Sequence, residues 1–141
     1  MATSFTGGCS CGAVRYECSV APLFTANCHC RDCQRASGGG FVSVLGVPTD
    51  AVKITGEVKY FDVQGDSGNP IGRGFCPACG SRLFARPAAA PDRMGIMAGS
   101  LDDPSWYRPA IDIYTASAQP WSHMDPALPK FPKMPPMEPN R

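Results

Sequence analysis

Cys76-Pro77-Ala78-Cys79-Gly80 is the stretch on which the fold turns. Two residues between the cysteines let a tight turn bring both sulfurs together. The glycine that follows supplies the permissive dihedral with which the chain leaves the turn, as in a zinc knuckle. A knuckle is half of a tetrahedral site. The other half lies near the start of the chain, in Gly8-Cys9-Ser10-Cys11-Gly12. Side chains at i and i+2 of an extended segment point to one side, so Cys9 and Cys11 can face a single metal from a strand end. Cys9, Cys11, Cys76 and Cys79 together predict a closed, all-cysteine zinc site. Such a site clamps the start of the chain to its middle and contributes directly to folding.

A further cluster lies between these halves, Cys28-His29-Cys30-Arg31-Asp32-Cys33. Cys28 and Cys30 share a face if the segment is extended, and Cys33 returns from the following turn. Three protein ligands leave the fourth zinc position open, which is the arrangement of catalytic zinc sites. The expected metal content is therefore two zinc ions per chain, one structural and one in an active site. Three thiolates on a zinc dication carry a net formal charge of about −1, which makes the metal a weak Lewis acid for water. A soft, thiolate-rich zinc suits a further thiol held as a nucleophilic thiolate. Chemistry at a substrate sulfur is the reading that follows. Arg31 and Arg35 flank the cluster and are the candidates to offset its charge or grip a substrate carboxylate.

The totals agree with a small intracellular zinc protein. The chain has 141 residues, 43% of them hydrophobic, which favours one globular domain. Thirteen basic residues against twelve acidic ones leave a net charge of +1, so no nucleic-acid partner is expected. No apolar run reaches membrane-spanning length, and the segment from Met1 to Gly8 has no leader-like pattern. A reducing cytoplasm is the expected compartment, where a disulfide framework for the eight cysteines is disfavoured.

Glycine and proline number 15 each, which predicts short strands and many turns. Alternation from Ala13 to Val20 predicts a half-buried strand. Further strands are expected over Phe24 to Cys28, Phe41 to Val47, Ile71 to Phe75, Arg82 to Arg86, Met94 to Ala98 and Ile111 to Thr115. Val52 to Thr55 and Val58 to Val63, on either side of Gly56-Glu57, read as a hairpin. A helical turn fits Leu101 to Tyr107, with Ser100 or Asp102 as its cap. Residues 1–119 are taken as the zinc-binding domain. Seven prolines between Pro120 and Pro139 predict an extended tail over 120–141, packed on that domain or trailing from it.

Other readings compete at several positions. His123, Asp112 or Cys18 could close the three-cysteine cluster into a second structural site. Cys18 falls on the apolar face of a strand and reads as a small buried hydrophobe. His29 or Asp32 could shuttle a proton, although His29 also reads as a hydrogen-bonding surface residue. Trp106, Tyr107 and Trp121 read as packing aromatics or as pocket walls. The alternative to an enzyme is a non-catalytic two-zinc module whose spaced prolines dock another protein. A methionine sulfoxide reductase would need an exposed cysteine free of metal, and none is evident after Cys79.

Gly7-Gly8-Cys9-Ser10-Cys11-Gly12-Ala13-Val14-Arg15-Tyr16-Glu17, Cys28-His29-Cys30-Arg31-Asp32-Cys33-Gln34-Arg35-Ala36-Ser37-Gly38 and Phe75-Cys76-Pro77-Ala78-Cys79-Gly80 resemble the glutathione-dependent formaldehyde-activating enzyme family, which includes centromere protein V. Gly99-Ser100-Leu101-Asp102-Asp103-Pro104 and Pro120-Trp121 also fit its pattern. The resemblance implies a mainly β, zinc-pinned antiparallel β-tent in a single domain. It implies that Cys9, Cys11, Cys76 and Cys79 are structural, and that Cys28, Cys30 and Cys33 form the active site. The implied activity is that of a carbon–sulfur lyase, joining a glutathione-like thiol and a small aldehyde into an adduct such as S-hydroxymethylglutathione. One position departs from the family pattern: Asp112 precedes Ile113-Tyr114 where many members carry a histidine.

Overall fold

Short, glycine-broken apolar stretches cannot sustain long helices, and the described residues form ten strands and one two-turn α-helix. The computed structural model describes residues 2–66 and 68–136. In chain order these elements are β1 (Phe5–Gly8), β2 (Arg15–Cys18), β3 (Phe24–Cys28), α1 (Arg31–Ser37), β4 (Val42–Pro48), β5 (Val52–Thr55), β6 (Lys59–Gln64), β7 (Pro70–Phe75), β8 (Arg82–Pro87), β9 (Arg93–Met97) and β10 (Ile111–Ile113). They build a three-stranded sheet, β1-β2-β5, and a seven-stranded sheet, β10-β3-β4-β9-β8-β7-β6.

The fold is mainly β, and its strands differ from the sequence reading in three ways. Strand β1 was not expected. Its glycine-rich sequence has little strand propensity, and it forms by pairing with β2, Phe5 opposite Cys18 and Gly7 opposite Tyr16. The expected hairpin about Gly56 is not formed. β5 pairs with β2 in the small sheet, while β6 pairs with β7 in the large one. Gly56, at φ +93°, is the point where the chain crosses between sheets. Finally, the sheets are not wholly antiparallel, because β10 runs parallel to β3, with Ile113 beside Cys28. A long connection from β9 back to this edge makes the parallel pairing possible.

The sheets enclose the larger core. Tyr16 and Cys18 from the small sheet meet Leu45, Val47, Phe84 and Ile96 from the large one, all of them buried. Tyr16 meets Phe84 edge-on, with ring centroids 5.4 Å apart, and its hydroxyl pairs with Ser100 Oγ at 2.7 Å. The outer face of the large sheet carries a second, smaller core: Ala26, Cys28, Cys33, Val42, Met97 and Ile113. The expected helical turn is a 3-10 turn over Pro104–Trp106, capped by Asp103 rather than by Ser100 or Asp102. Asp102 instead forms a two-pronged ion pair with Arg15 and accepts from Thr6 Oγ1 at 2.6 Å.

Beyond β10 the chain doubles back along that strand. Asp112 N–H donates to Pro129 O at 3.0 Å, and Phe131 N–H donates to Asp112 O at 2.9 Å. Lys133 reaches Asp66 at 2.9 Å. Pro139 and the rest of residues 137–141 lie outside the described residues.

Candidate active site and metal centres

The first cysteine group sits where the start of the chain meets the turn after β7. The sulfurs of Cys9, Cys11, Cys76 and Cys79 all lie within 4.8 Å of one another, with Cys9–Cys11 at 3.6 Å and Cys11–Cys76 at 3.8 Å. A tetrahedral zinc with bonds near 2.3 Å spaces its sulfurs by roughly 3.8 Å, whereas a disulfide would bring them to about 2.0 Å. The donor set therefore fits zinc. Gly80, at φ +77°, turns the chain out of the knuckle. Val14 N–H donates to Cys9 Sγ at 3.2 Å, and Ser81 Oγ lies 3.2 Å from Cys79 Sγ. The Ser81 hydroxyl and backbone hold the Cys79 thiol down to about 5, which favours the metal-binding thiolate.

The second group is built at the end of β3 and the start of α1. Cys28 is the last residue of β3, Cys30 caps α1, and Cys33 lies in its first turn. The helix was not foreseen in the sequence, where only a turn was expected. Cys30 replaces the usual hydroxyl or carboxylate cap, its Sγ accepting from Cys33 N–H at 3.3 Å. Gly38, at φ +74°, ends the helix by donating to Gln34 O at 2.8 Å. All three sulfurs lie within 4.8 Å of one another. Hydrogen bonds from Cys28 and Cys33, then Cys33 N–H and the charge of Arg73, hold the Cys30 thiol far below its usual range. Cys28, which faces the other two sulfurs, is pushed up by the same contacts.

The cation at this cluster is neither of the two arginines expected from sequence. Arg31 is exposed and bonds to Gln34 Oε1 on its own helix, and Arg35 is exposed one turn on. Arg73, in the middle of β7, donates through Nη1 to Cys33 Sγ at 3.5 Å and brings Nη2 to 4.0 Å from Cys30 Sγ. Burial opposes its charge, but the neighbouring cysteine sulfurs raise its pKa overall. A sequence signal did exist: an arginine framed by Gly72 and Gly74 inside an otherwise apolar strand. Its pairing with sulfurs forty residues earlier depends on the sheet order.

His29 turns away from the sulfurs and is fully buried rather than on the surface. Its Nε2 lies 2.8 Å from Asp112 Oδ1, and Asp112 Oδ2 lies 3.4 Å from Lys130 Nζ. Asp112 thus belongs to a buried pair under β3 and does not join the three-cysteine group. Cys18 is likewise remote, buried in the main core, and His123 is exposed in the tail. Trp106 packs on Phe5, Tyr107 bonds to Ala26 O and Val44 O, and Trp121 is exposed.

A cavity of about 340 Å³ opens beside Cys28 and Cys33, on the outer face of the large sheet. Its walls are mostly apolar and include Phe24, Val44, Met97 and Met134, with Arg73 and Arg93 as the cations. Tyr114 also lines it and holds φ +56°, the one positive value at a non-glycine residue among those described. Burial, followed by the negative charge of Asp66, raises the Tyr114 phenol and keeps it protonated.

A family profile described as "Glutathione-dependent formaldehyde-activating enzyme" matches residues 4–117, most of the chain. A Penicillium rubens protein is 36% identical over 88 residues, which span 59% of this chain and 46% of that protein. A Halomonas elongata protein is 29% identical over 102 residues, spanning 68% of this chain and 64% of that one. Both carry the family's name as an inferred assignment, and the chain spans about half to two thirds of their length. A crystal structure of a Rhodobacter sphaeroides protein superposes with a TM-score of 0.53 at 20% identity, covering 74% of this chain and 91% of that one, a likeness of fold. With the profile running through both cysteine groups, the chain belongs to the glutathione-dependent formaldehyde-activating enzyme family.

Proposed function

We propose that this chain adds a thiol to a small aldehyde and reverses that addition, a carbon–sulfur lyase-type reaction. Formation of S-hydroxymethylglutathione from glutathione and formaldehyde is the instance to which the family name points. The observation that carries the proposal is the convergence of Cys28, Cys30 and Cys33 on one point beside a cavity, with Arg73 against two of the sulfurs.

In this reading zinc is the metal of both groups. Cys9, Cys11, Cys76 and Cys79 would hold one ion, and Cys28, Cys30 and Cys33 the other. A zinc ion held there would lower the pKa of a neighbouring cosubstrate thiol. Arg73 offsets the excess negative charge of three thiolates, so the site stays near neutral while a further thiolate approaches. The apolar walls exclude water from the reacting carbon. The thiolate sulfur bonds to the carbonyl carbon, the C=O π bond opens, and the oxygen takes a proton. Tyr114, a protonated phenol in the cavity lining with a left-handed backbone, is the group we assign as the donor to that oxygen. Neither His29 nor Asp32 serves here: His29 is bound to Asp112, and Asp32 lies on α1 away from the cavity lining.

The docking-module alternative draws less support. The proline-bearing segment lies along β10 and contributes Met134 to the cavity, so its described part serves the site. The test is the rate of adduct formation between glutathione and ¹³C-formaldehyde, followed by exchange NMR. Acceleration by the zinc-loaded protein, lost in Cys33→Ser with the fold kept, supports the proposal. An unaccelerated rate in the zinc-loaded wild type refutes it.

A further inference from the structure

The cavity is larger than formaldehyde requires and has the wrong chemistry for glutathione. A one-carbon aldehyde would leave most of the 340 Å³ empty. Glutathione carries an ammonium group and two carboxylates, yet no aspartate or glutamate lines the cavity among the described residues. An ammonium group placed there would lose its water without gaining a partner.

The sheet orders the lining from end to end. At one end Met97 and Val42 lie beside Cys28 and Cys33. The middle is floored by Val44, Ala85 and Gly95. Phe24 is level with Gly95 across Gly46, and at the far end stand Pro87, Ala90 and Arg93. Met97 and Arg93 are four residues apart on β9, or roughly 13 Å at strand spacing. Arg93 has no ion pair or side-chain hydrogen bond among the described residues, and its Nε is buried without a partner. A half-buried guanidinium at the end of an apolar channel offers a carboxylate a charged, fork-shaped partner.

We infer that the cavity takes a chain-like aldehyde: an apolar body of about five to seven carbons whose far end carries a carboxylate for Arg93. Its carbonyl carbon then lies at the three-cysteine end, while the thiol partner approaches from outside the cavity. This deepens the thiol–aldehyde reading and rests on it for the reaction. The step adds no reagent: the S–H and C=O bonds are exchanged for C–S and O–H bonds, with no change in the number of electrons.

Each methylene buried on transfer from water strengthens binding by about fourfold. Hexanoate should therefore bind the zinc-loaded protein on the order of a hundredfold more tightly than acetate. Binding is read from ¹⁵N amide shifts, expected at Val44 and Gly95. Arg93→Gln should weaken hexanoate at least tenfold and leave hexan-1-ol unaffected. In turnover with glutathione, 6-oxohexanoate should be preferred to hexanal, and hexanal to formaldehyde. Ala85→Leu, which fills the middle of the channel, should lower the ratio of hexanal to formaldehyde turnover. Absence of hexanoate shifts at these residues, equal binding to Arg93→Gln, or a preference for formaldehyde overturns the inference and leaves thiol–aldehyde chemistry standing. Hexanoate binding without acceleration of any thiol–aldehyde pair overturns the reaction instead, and with it the aldehyde assignment.

Discussion

Replacing Asp112 by alanine should destabilise the protein by about 2–4 kcal/mol. Asp112 Oδ1 is the only hydrogen-bond partner of His29 Nε2 among the described residues, and both side chains are buried. Removing the carboxylate leaves a fully buried ring nitrogen unsatisfied, which costs about 1–3 kcal/mol. The ion pair to Lys130 adds at most about 1 kcal/mol, because Lys130 is partly solvated. For a chain of this size the sum corresponds to a fall in Tm of roughly 10 °C. Urea unfolding of the zinc-loaded protein, followed by circular dichroism, measures the loss directly. Asp112→Asn keeps an acceptor for His29 and should lose less than half as much. The effect should also reach the metal group. His29 N–H donates to Ile113 O at 3.0 Å, so the backbone between Cys28 and Cys30 is tied to the same strand. Zinc retained per chain against a chelator should therefore fall in the alanine variant. An alanine variant within about 0.5 kcal/mol of wild type would refute the argument, because a surface substitution could then explain it.

Arg73→Gln should cut kcat/KM for adduct formation by about tenfold to a hundredfold with the fold intact, the cost of losing a charged hydrogen-bond donor at the sulfurs; unchanged kinetics would remove Arg73 from the site. Tyr114→Phe should lower kcat by about a hundredfold, in the range for one donor to a developing oxyanion, with little change in KM. Metal analysis should find two zinc ions per wild-type chain and one in Cys33→Ser, while Cys76→Ser should fail to fold, since the four-cysteine site joins segments far apart in sequence. Burial pushes the phenols of Tyr16 and Tyr107 up to about 12. The unfolded chain ionises these groups near 10, so their stabilising contribution is whole below about pH 10 and declines as pH rises towards 12. Urea midpoints at pH 9 and pH 11.5 should show that decline, and it should be shallower in Tyr16→Phe.

Local residue chemistry determined much of this protein from sequence alone. Cysteine spacing is a short-range property, because two thiolates within four residues must meet when the turn between them is tight. The pairs Cys9/Cys11 and Cys76/Cys79 and the cluster Cys28/Cys30/Cys33 could therefore be read before any fold was known, while the meeting of the two pairs across 65 residues is tertiary. Alternation and glycine or proline punctuation located β3 and β5 with the observed boundaries and most other strands to within a residue or two. The tertiary structure decided whatever depends on which strand lies beside which. β1 has weak propensity and exists through its pairing with β2. Gly56 reads locally as the turn of a hairpin, since local sequence cannot distinguish reversal within a sheet from crossing between two. Arg31 and Arg35 are close to the sulfurs in sequence, but α1 turns them outward, while β7 carries Arg73 across the large sheet to meet them. His29 lies between two of the cysteines, yet strand alternation sends it to the opposite face, where β10 brings Asp112. The cavity has no counterpart in any one segment, because six strands, α1 and the returning tail supply its walls. Spacing along the chain marks the candidate metal ligands, and sheet order assigns their neighbours.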